Sequence, residues 1–513
     1  MSRSLFASYF AEKIRMSPSL GSYLGDRRRD SHYEDALSPH MLQATKELLE
    51  RYQKALEAKQ KNLTIEDVTL AWEVKIGLED QMFPLEQLST NSFRNTVLDL
   101  AFNESQMYPH PSESRYRDYA TILRTVVYNM QQGIASRTVL PRRICERLIS
   151  SIQEFVDARM CIRGTEEAVT DLLHFLKRDY LPACRTTIGI CELPRGKPMY
   201  RHLIRQQTST NMTPEAIHAY GIKEVERLET AFRRIQAAMG RSKRESLSHF
   251  YKWMMNNPDH YCKSTADVMK CYRQMQKRIR ETIWKENFDY TLKTDYHIKK
   301  VSKDMESSSG GAFYIASSYR PGEFEGTFYV NTRDLKENPI YSMYTLSIHE
   351  GFHHYQYQYM IEKKVPSYMI YGVTNNGYSE GIALYAEELG DYSDPLDEFG
   401  HLVNAIMRAA RLVIDTGIHW YGWSWEKAVA YMTEHVPLSS SEIETEIERY
   451  ICYPAQALCY SIGRKVFMEN REKYLKAFPG DSKGYHRLLL EDGIVPLHLI
   501  TTKVHDAIHK ASI

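Results

Sequence analysis

The chain has no Cys-x-x-Cys pair, and its eight cysteines (Cys145, Cys161, Cys184, Cys191, Cys262, Cys271, Cys452 and Cys459) are scattered over 513 residues. That pattern argues against a disulfide framework and against a thiolate zinc site. No cysteine sits in a recognisable nucleophile context, so a cysteine protease is a poor reading. Long apolar runs are also missing, and nothing approaches the ~20 residues of a membrane span. The N-terminal Met1-Ser-Arg-Ser-Leu-Phe-Ala-Ser-Tyr-Phe-Ala-Glu-Lys is interrupted by charge before a signal-peptide core could form, so a cytoplasmic protein is expected. An excess of either charge is lacking, with 66 Lys and Arg against 65 Asp and Glu, which excludes nucleic acid or an anionic membrane as the expected partner. The basic run Arg27-Arg28-Arg29 is followed at once by Asp30 and reads as a solvated loop. With only 25 Gly and 19 Pro and no low-complexity stretch, no clean domain boundary or fixed-period repeat is visible.

What is present is material for a large packed body, 43% hydrophobic and 26% charged. Residues 1–300 read mainly as helices, for example Met41 to Lys59 and Val268 to Lys285, with apolar residues at three- and four-residue spacing. Residues 301–513 hold the chemistry. The expected fold is mainly α, one continuous domain in which a helical scaffold precedes a region with a cleft and a small β-hairpin.

That hairpin is expected within 307–332, where Ala312-Phe-Tyr-Ile-Ala and Gly326-Thr-Phe-Tyr-Val-Asn331 are aromatic and β-branched runs separated by turn residues. It reads either as a surface ribbon or as a cleft wall offering backbone groups to an extended ligand. Helices then return: Tyr341 to Ile361, Ser379 to Leu389, Leu396 to Thr416, Trp425 to Thr433, and Ser439 to about Asn470.

The first of these carries His349-Glu350-Gly351-Phe352-His353. On a helix, residues four apart lie one turn above each other, so His349 and His353 can present two imidazoles to one metal ion. Glu350 is placed to hold and deprotonate the attacking water. The segment contains no Pro, and Gly351 costs a helix only about 1 kcal/mol. Alternatively, both histidines are core residues with satisfied hydrogen bonds.

A catalytic zinc needs three protein ligands, and two His with one Glu form an established set. Glu380, in Tyr378-Ser-Glu-Gly-Ile-Ala-Leu-Tyr-Ala-Glu387, supplies the third. Its competing role is that of a first-turn carboxylate behind Ser379 as N-cap, complementing the helix dipole. Glu387 and Glu388, two turns on, read as solvated carboxylates or as supports behind the ligands.

His-Glu-x-x-His followed by a Glu two or three dozen residues later resembles the gluzincin metallopeptidases, the group of thermolysin, thimet oligopeptidase and angiotensin-converting enzyme. More closely, Ser379 to Glu387, Arg411-Leu-Val-Ile-Asp415-Thr-Gly-Ile-His419, and Arg449-Tyr450-Ile-Cys-Tyr-Pro454-Ala-Gln456-Ala-Leu-Cys-Tyr460-Ser-Ile-Gly463 are similar to motifs of the domain-of-unknown-function 885 family. The hairpin ending in Asn331 fits that family too. The likeness is specific over the last 200 residues or so and one of texture before them. It implies one zinc ion per chain in a zincin-like helical body. Members commonly read His-Glu-x-x-Pro-Gly-His-His, whereas here Phe352 runs straight into His353-His354. On an unbroken helix His354 is rotated about 100° further from His349, so spacing favours His353 as ligand and sends His354 to a supporting or core position.

The resemblance also implies oxyanion donors on later segments. His419, Tyr450 and Tyr460 match the family pattern, against ordinary roles as a buried structural histidine and packed tyrosines. Arg449 is a candidate to hold a substrate carboxylate, with Asn331 as a second substrate contact, and a structural ion pair is the plainer role for Arg449. Asp415 is a candidate to orient a ligand histidine, or else pairs with Arg411 one turn earlier.

The leading expectation is a zinc metallopeptidase acting on peptides. A zinc hydrolase of a non-peptide amide or ester, and a non-catalytic helical binding or scaffold protein with an inert motif, are the alternatives. Oligomeric state has no signature in the sequence.

Overall fold

The computed structural model describes residues 4–59, 63–108, 110–242, 244–303, 306, 311–316 and 326–512. Among these the protein is mainly α-helical, with one three-stranded sheet. Two compact units emerge. Residues 1–203, 417–428 and 444–454 form the first, and residues 204–416, 429–443 and 455–513 the second.

The first unit contains the helices Leu5–Met16, Pro39–Lys59, Ile65–Asp80, Thr96–Met107, Glu113–Ser136, Arg142–Asp157 and Glu166–Phe175. Three of their starts are marked by side chains that satisfy unpaired backbone N–H groups, Ser4, Ser112 and a reciprocal capping box between Thr64 and Asp67, and Asn95 does the same for Thr96–Met107. Buried Arg115 forms a two-pronged ion pair with Glu104, both contacts 2.7 Å.

The second unit holds the sheet and the helices that matter for the site. Strands β1 (His297–Lys300), β2 (Ala312–Ile315) and β3 (Thr327–Val330) run in the order β1-β3-β2. β2 and β3 pair antiparallel, Ala312 opposite Val330, as expected of the hairpin, whose turn at 317–325 and approach at 307–310 lie outside the described residues. β1 is parallel to β3 and was not signalled by the sequence, because His-Ile-Lys-Lys carries almost no apolar alternation.

Helix α1 (Thr265–Ile279) packs on this sheet, with Val268, Met269 and Tyr272 meeting Tyr296, Phe328 and Val330. Met343 joins the same cluster from helix α2 (Ile340–Glu362). α2 is buried on nearly every face, from Tyr341 to Met360, so no amphipathic stripe marks its direction. Helix α3 (Asn376–Glu387) begins at Asn375, whose side chain accepts the Tyr378 N–H, and not at Ser379. Glu380 therefore lies beyond the first turn, and its reading as a first-turn dipole partner falls away.

α3 lies unusually close to helix α5 (Cys459–Ala477), which follows helix α4 (Pro395–His419) in the numbering used here. A Cβ on Gly381 would come within 2.4 Å of the Gly463 Cα, and one on Gly463 within 2.0 Å of the Gly377 carbonyl. Only hydrogen fits at these positions. The single helix expected from Ser439 to Asn470 is broken, since Ser440–Cys452 and α5 are separated by Pro454 and by Ala455 in the left-handed region at φ 68°.

Candidate metal centre

α2 and α3 bring His349, His353 and Glu380 together. Their ligand atoms all lie within 4.8 Å of one another, with Oε2 of Glu380 3.5 Å from His349 Nε2 and 3.4 Å from His353 Nε2. Two donors bound at about 2.0–2.1 Å to a tetrahedral ion stand roughly 3.3 Å apart, so this spacing suits zinc. Burial acts most strongly on His349 and lowers it, yet hydrogen bonds to Glu380 and Glu387 together raise the imidazole to about 9. Burial opposes ionisation of Glu380, but the two imidazoles hold it well below the usual carboxylate range.

Behind His349 stands a support that local sequence could not assign. Glu387, wholly buried, accepts from His349 Nδ1 at 2.8 Å, which fixes the tautomer and turns Nε2 toward Glu380. The Thr345 hydroxyl donates to the other carboxylate oxygen at 2.9 Å, the Arg408 guanidinium lies 3.7 Å away, and Tyr392 donates to the Glu387 carbonyl. Burial raises the Glu387 carboxyl, but Arg408 and His349 outweigh it and keep the group ionised. The one signal available was the spacing Glu380 to Glu387, two turns on one helix face.

Glu350 follows His349 on α2. Among the described residues no hydrogen-bond donor holds its carboxylate, and burial raises it against the pull of His349 and His353. A largely buried carboxylate of raised basicity beside two imidazoles that could hold a metal ion is equipped to take a proton. Tyr460 also reaches the site from the start of α5. Its ring stacks with His349 at 6.3 Å, its hydroxyl accepts from Gln456 Nε2 at 3.4 Å, and the Arg411 guanidinium lies over the ring 4.9 Å from its centre.

His354 does not join the ligands. Nδ1 meets the Tyr314 hydroxyl at 3.0 Å and Nε2 faces the Thr294 carbonyl at 3.3 Å, so both ring nitrogens tie α2 to the sheet and its approach. Asp415 does not orient a ligand histidine either: its carboxylate accepts the Ala455 N–H at 3.1 and 3.2 Å and braces the turn that breaks the helix. Of the two readings left open for Glu387, solvated carboxylate or support, the structure gives the support. Asn331 uses its amide within the chain, donating to the Glu306 carbonyl and accepting from the Arg333 N–H.

His419, Tyr450 and Arg449 belong to the first unit. His419 accepts from the Ile190 N–H at Nδ1 and donates from Nε2 to the Tyr450 carbonyl, and burial drives it down to about 3. A neutral imidazole with both nitrogens committed has no donor left for an oxyanion. The Tyr450 hydroxyl donates to Glu446 at 2.6 Å, and Arg449 lies 3.8 Å from the same carboxylate and over Phe93. The contacts of all three are structural ones within the first unit.

Comparison with known proteins places these elements in a wider group. A family model described as "Bacterial protein of unknown function (DUF885)" matches residues 18–504. The chain belongs to that family. No curated protein matches this DUF885 chain in sequence. Among solved structures it is similar to the "putative lipoprotein" of Colwellia psychrerythraea, at 20% identity and a TM-score of 0.85 over 99% of this chain and 98% of that one. It is also similar to a "putative lipoprotein of unknown function" of Shewanella oneidensis, at 16% identity and a TM-score of 0.76 over 98% and 99%. At such identities the likeness concerns the fold. Both neighbours are described as lipoproteins, a class that is membrane-anchored or secreted, and this overturns the cytoplasmic placement expected from the N-terminal residues. Among the described residues no helix is long and apolar enough to cross a membrane.

Proposed function

We propose that the chain is a zinc-dependent metallopeptidase of the gluzincin type, with His349, His353 and Glu380 holding the metal. The observation that carries this reading is the convergence of these three donors with Glu387 behind His349. When bound, zinc supplies a Lewis acid that polarises a carbonyl and makes water more acidic. Glu350 takes the proton from the attacking water and delivers it to the leaving amine, a task suited to a carboxylate whose basicity burial has raised. Tyr460, packed against His349, steadies the developing oxyanion. Peptides are the substrate class, by analogy with gluzincins. The description of both structural neighbours as lipoproteins supports a place for this chain at or beyond a membrane, and recovery of the native protein from the soluble cytoplasm would count against it.

The test compares zinc content and hydrolysis of a panel of short peptides, small amides and esters for the wild type, Glu350→Gln and Glu380→Ala. The expected result is stoichiometric zinc in wild type and Glu350→Gln, peptide turnover in the wild type alone, and weakened zinc binding in Glu380→Ala. Cleavage restricted to the small amides or esters redirects the reading to a non-peptide hydrolase. A native protein without zinc, and no activity sensitive to Glu350→Gln, would overturn both.

A further inference from the structure

Outside the metal centre, one pair of side chains is placed for chemistry that the proposed hydrolysis does not use. Cys262 and Cys271 stand with their sulfurs 3.8 Å apart. Both are half-buried, and both border the apolar cluster formed by α1, the sheet and Met343 of α2. Cys262 sits in the short segment that leads into Ser264, the N-cap of α1, and Cys271 lies two turns along that helix. Folding has already brought the two thiols into contact, so the entropy of joining them is largely spent before any bond forms.

The position of Cys262 gives the pair a consequence. Its neighbour Tyr261 forms an antiparallel bridge with Pro339, the residue that caps the start of α2. The Tyr261 hydroxyl also donates to the Met255 carbonyl at 2.7 Å. From the other side, the Tyr272 hydroxyl, adjacent to Cys271, donates to Asn338 at 3.1 Å. The residues flanking both sulfurs thus grip the same two positions, Asn338 and Pro339, at the entry to the helix that carries His349 and His353.

We propose that Cys262 and Cys271 are a modification site that closes to an intramolecular disulfide by thiol–disulfide exchange with a small disulfide oxidant of the oxidised-glutathione class. One cysteine thiolate, its proton released to solvent, attacks a sulfur of the oxidant. The oxidant's S–S bond breaks, a mixed disulfide forms and one oxidant thiol leaves with a proton. The second cysteine then attacks the protein sulfur of that mixed disulfide, forming the 262–271 bond and releasing the other oxidant thiol. Two protein thiols are oxidised and one oxidant disulfide is reduced to two thiols, so atoms and electrons balance. The bond needs the sulfurs to close from 3.8 Å to about 2.05 Å, within reach of side-chain rotation. Closing it staples the Tyr261–Lys263 segment to α1 and so holds the entry to α2 from both sides.

The full-length protein is equilibrated in a series of reduced and oxidised glutathione ratios, quenched by alkylation, digested without reduction and mapped by mass spectrometry. The expected result is one cross-linked peptide joining Cys262 to Cys271, while the other six cysteines stay alkylated. Oxidation should raise Tm by roughly 3 °C in the wild type and leave Cys271→Ser unmoved. If both thiols remain alkylated at the most oxidising ratio, or carry separate glutathione adducts, or the link joins another pair, the proposal is overturned. The wild-type map decides the matter even if the variant folds poorly. Because it reads sulfur linkage and not turnover, it stands or falls independently of the metallopeptidase reading.

Discussion

The buried carboxylate of Glu387 accepts a 2.8 Å hydrogen bond from Nδ1 of His349 and is itself held by Thr345 and Arg408. A ligand imidazole oriented in this way loses little freedom on meeting a metal, and its Nε2 lone pair is made more basic. Glu387→Gln keeps the shape but removes the charge. Zinc affinity, measured by competition with a chromogenic chelator, should fall by about 10- to 100-fold. An unchanged affinity in a variant that melts like wild type would show that Glu387 only fills space.

Tyr460 stacks on His349 while its hydroxyl accepts from Gln456. If it donates to the oxyanion, Tyr460→Phe should leave zinc content unaltered and lower kcat by about 10²- to 10³-fold, with KM nearly constant. A rise in KM alone would instead assign the side chain to binding.

The approach of α3 to α5 rests on glycines. Adding a methyl group at Gly463 puts it 2.0 Å from the Gly377 carbonyl, so the helices must separate. Gly463→Ala should destabilise the second unit by about 1–3 kcal/mol in chemical denaturation. It should also weaken zinc binding, because Glu380 adjoins Gly381 at that contact. Destabilisation with full zinc affinity would separate the packing from the site.

Two histidines away from the metal set an acid limit. Burial drives His419 and His486 each to about 3, and each is neutral in the folded chain at neutral pH. Their folded values lie below the unfolded value of about 6.5, so the unfolded state binds more protons between the two. The stability they supply is complete above pH 6.5 and is lost progressively as pH falls toward 3, by about 2 kcal/mol per group at pH 5. Urea midpoints at pH 7.5 and pH 5 should show this, with the difference reduced in His419→Asn. A midpoint that does not move would contradict the burial of both imidazoles.

How far the fold and site were legible depends on the range of the interaction concerned. Residues four apart on one helix face each other whatever surrounds them, so the meeting of His349 with His353, and the turn of His354 to another face, follow from local geometry. The β2–β3 pairing is likewise local. Glu387 and Glu388 look alike in sequence, and only the packing of α3 on α2 separates the buried support from its neighbour, which pairs with Arg464. His419 and Tyr450 carried the right residue types, but their partners, the Ile190 N–H and the Glu446 carboxylate, decide what they do. The broken helix at Pro454 turns on one backbone, that of Ala455, held in the left-handed region by Asp415 from another helix. A periodic pattern read through that point cannot see the brace.

The glycine contact orders events in time as well as in space. His349, His353 and Glu380 come from two helices separated by only 13 residues, which include the short helix Ser367–Tyr371, whereas Tyr460 arrives only when α5 docks against Gly377 and Gly381. Short loops close before long ones. In refolding from denaturant, the three donors should therefore assemble while α5 is still loose. Metal capture would then return in an earlier kinetic phase than turnover, with the docking of the Gly381 and Gly463 surfaces as the slow step between them.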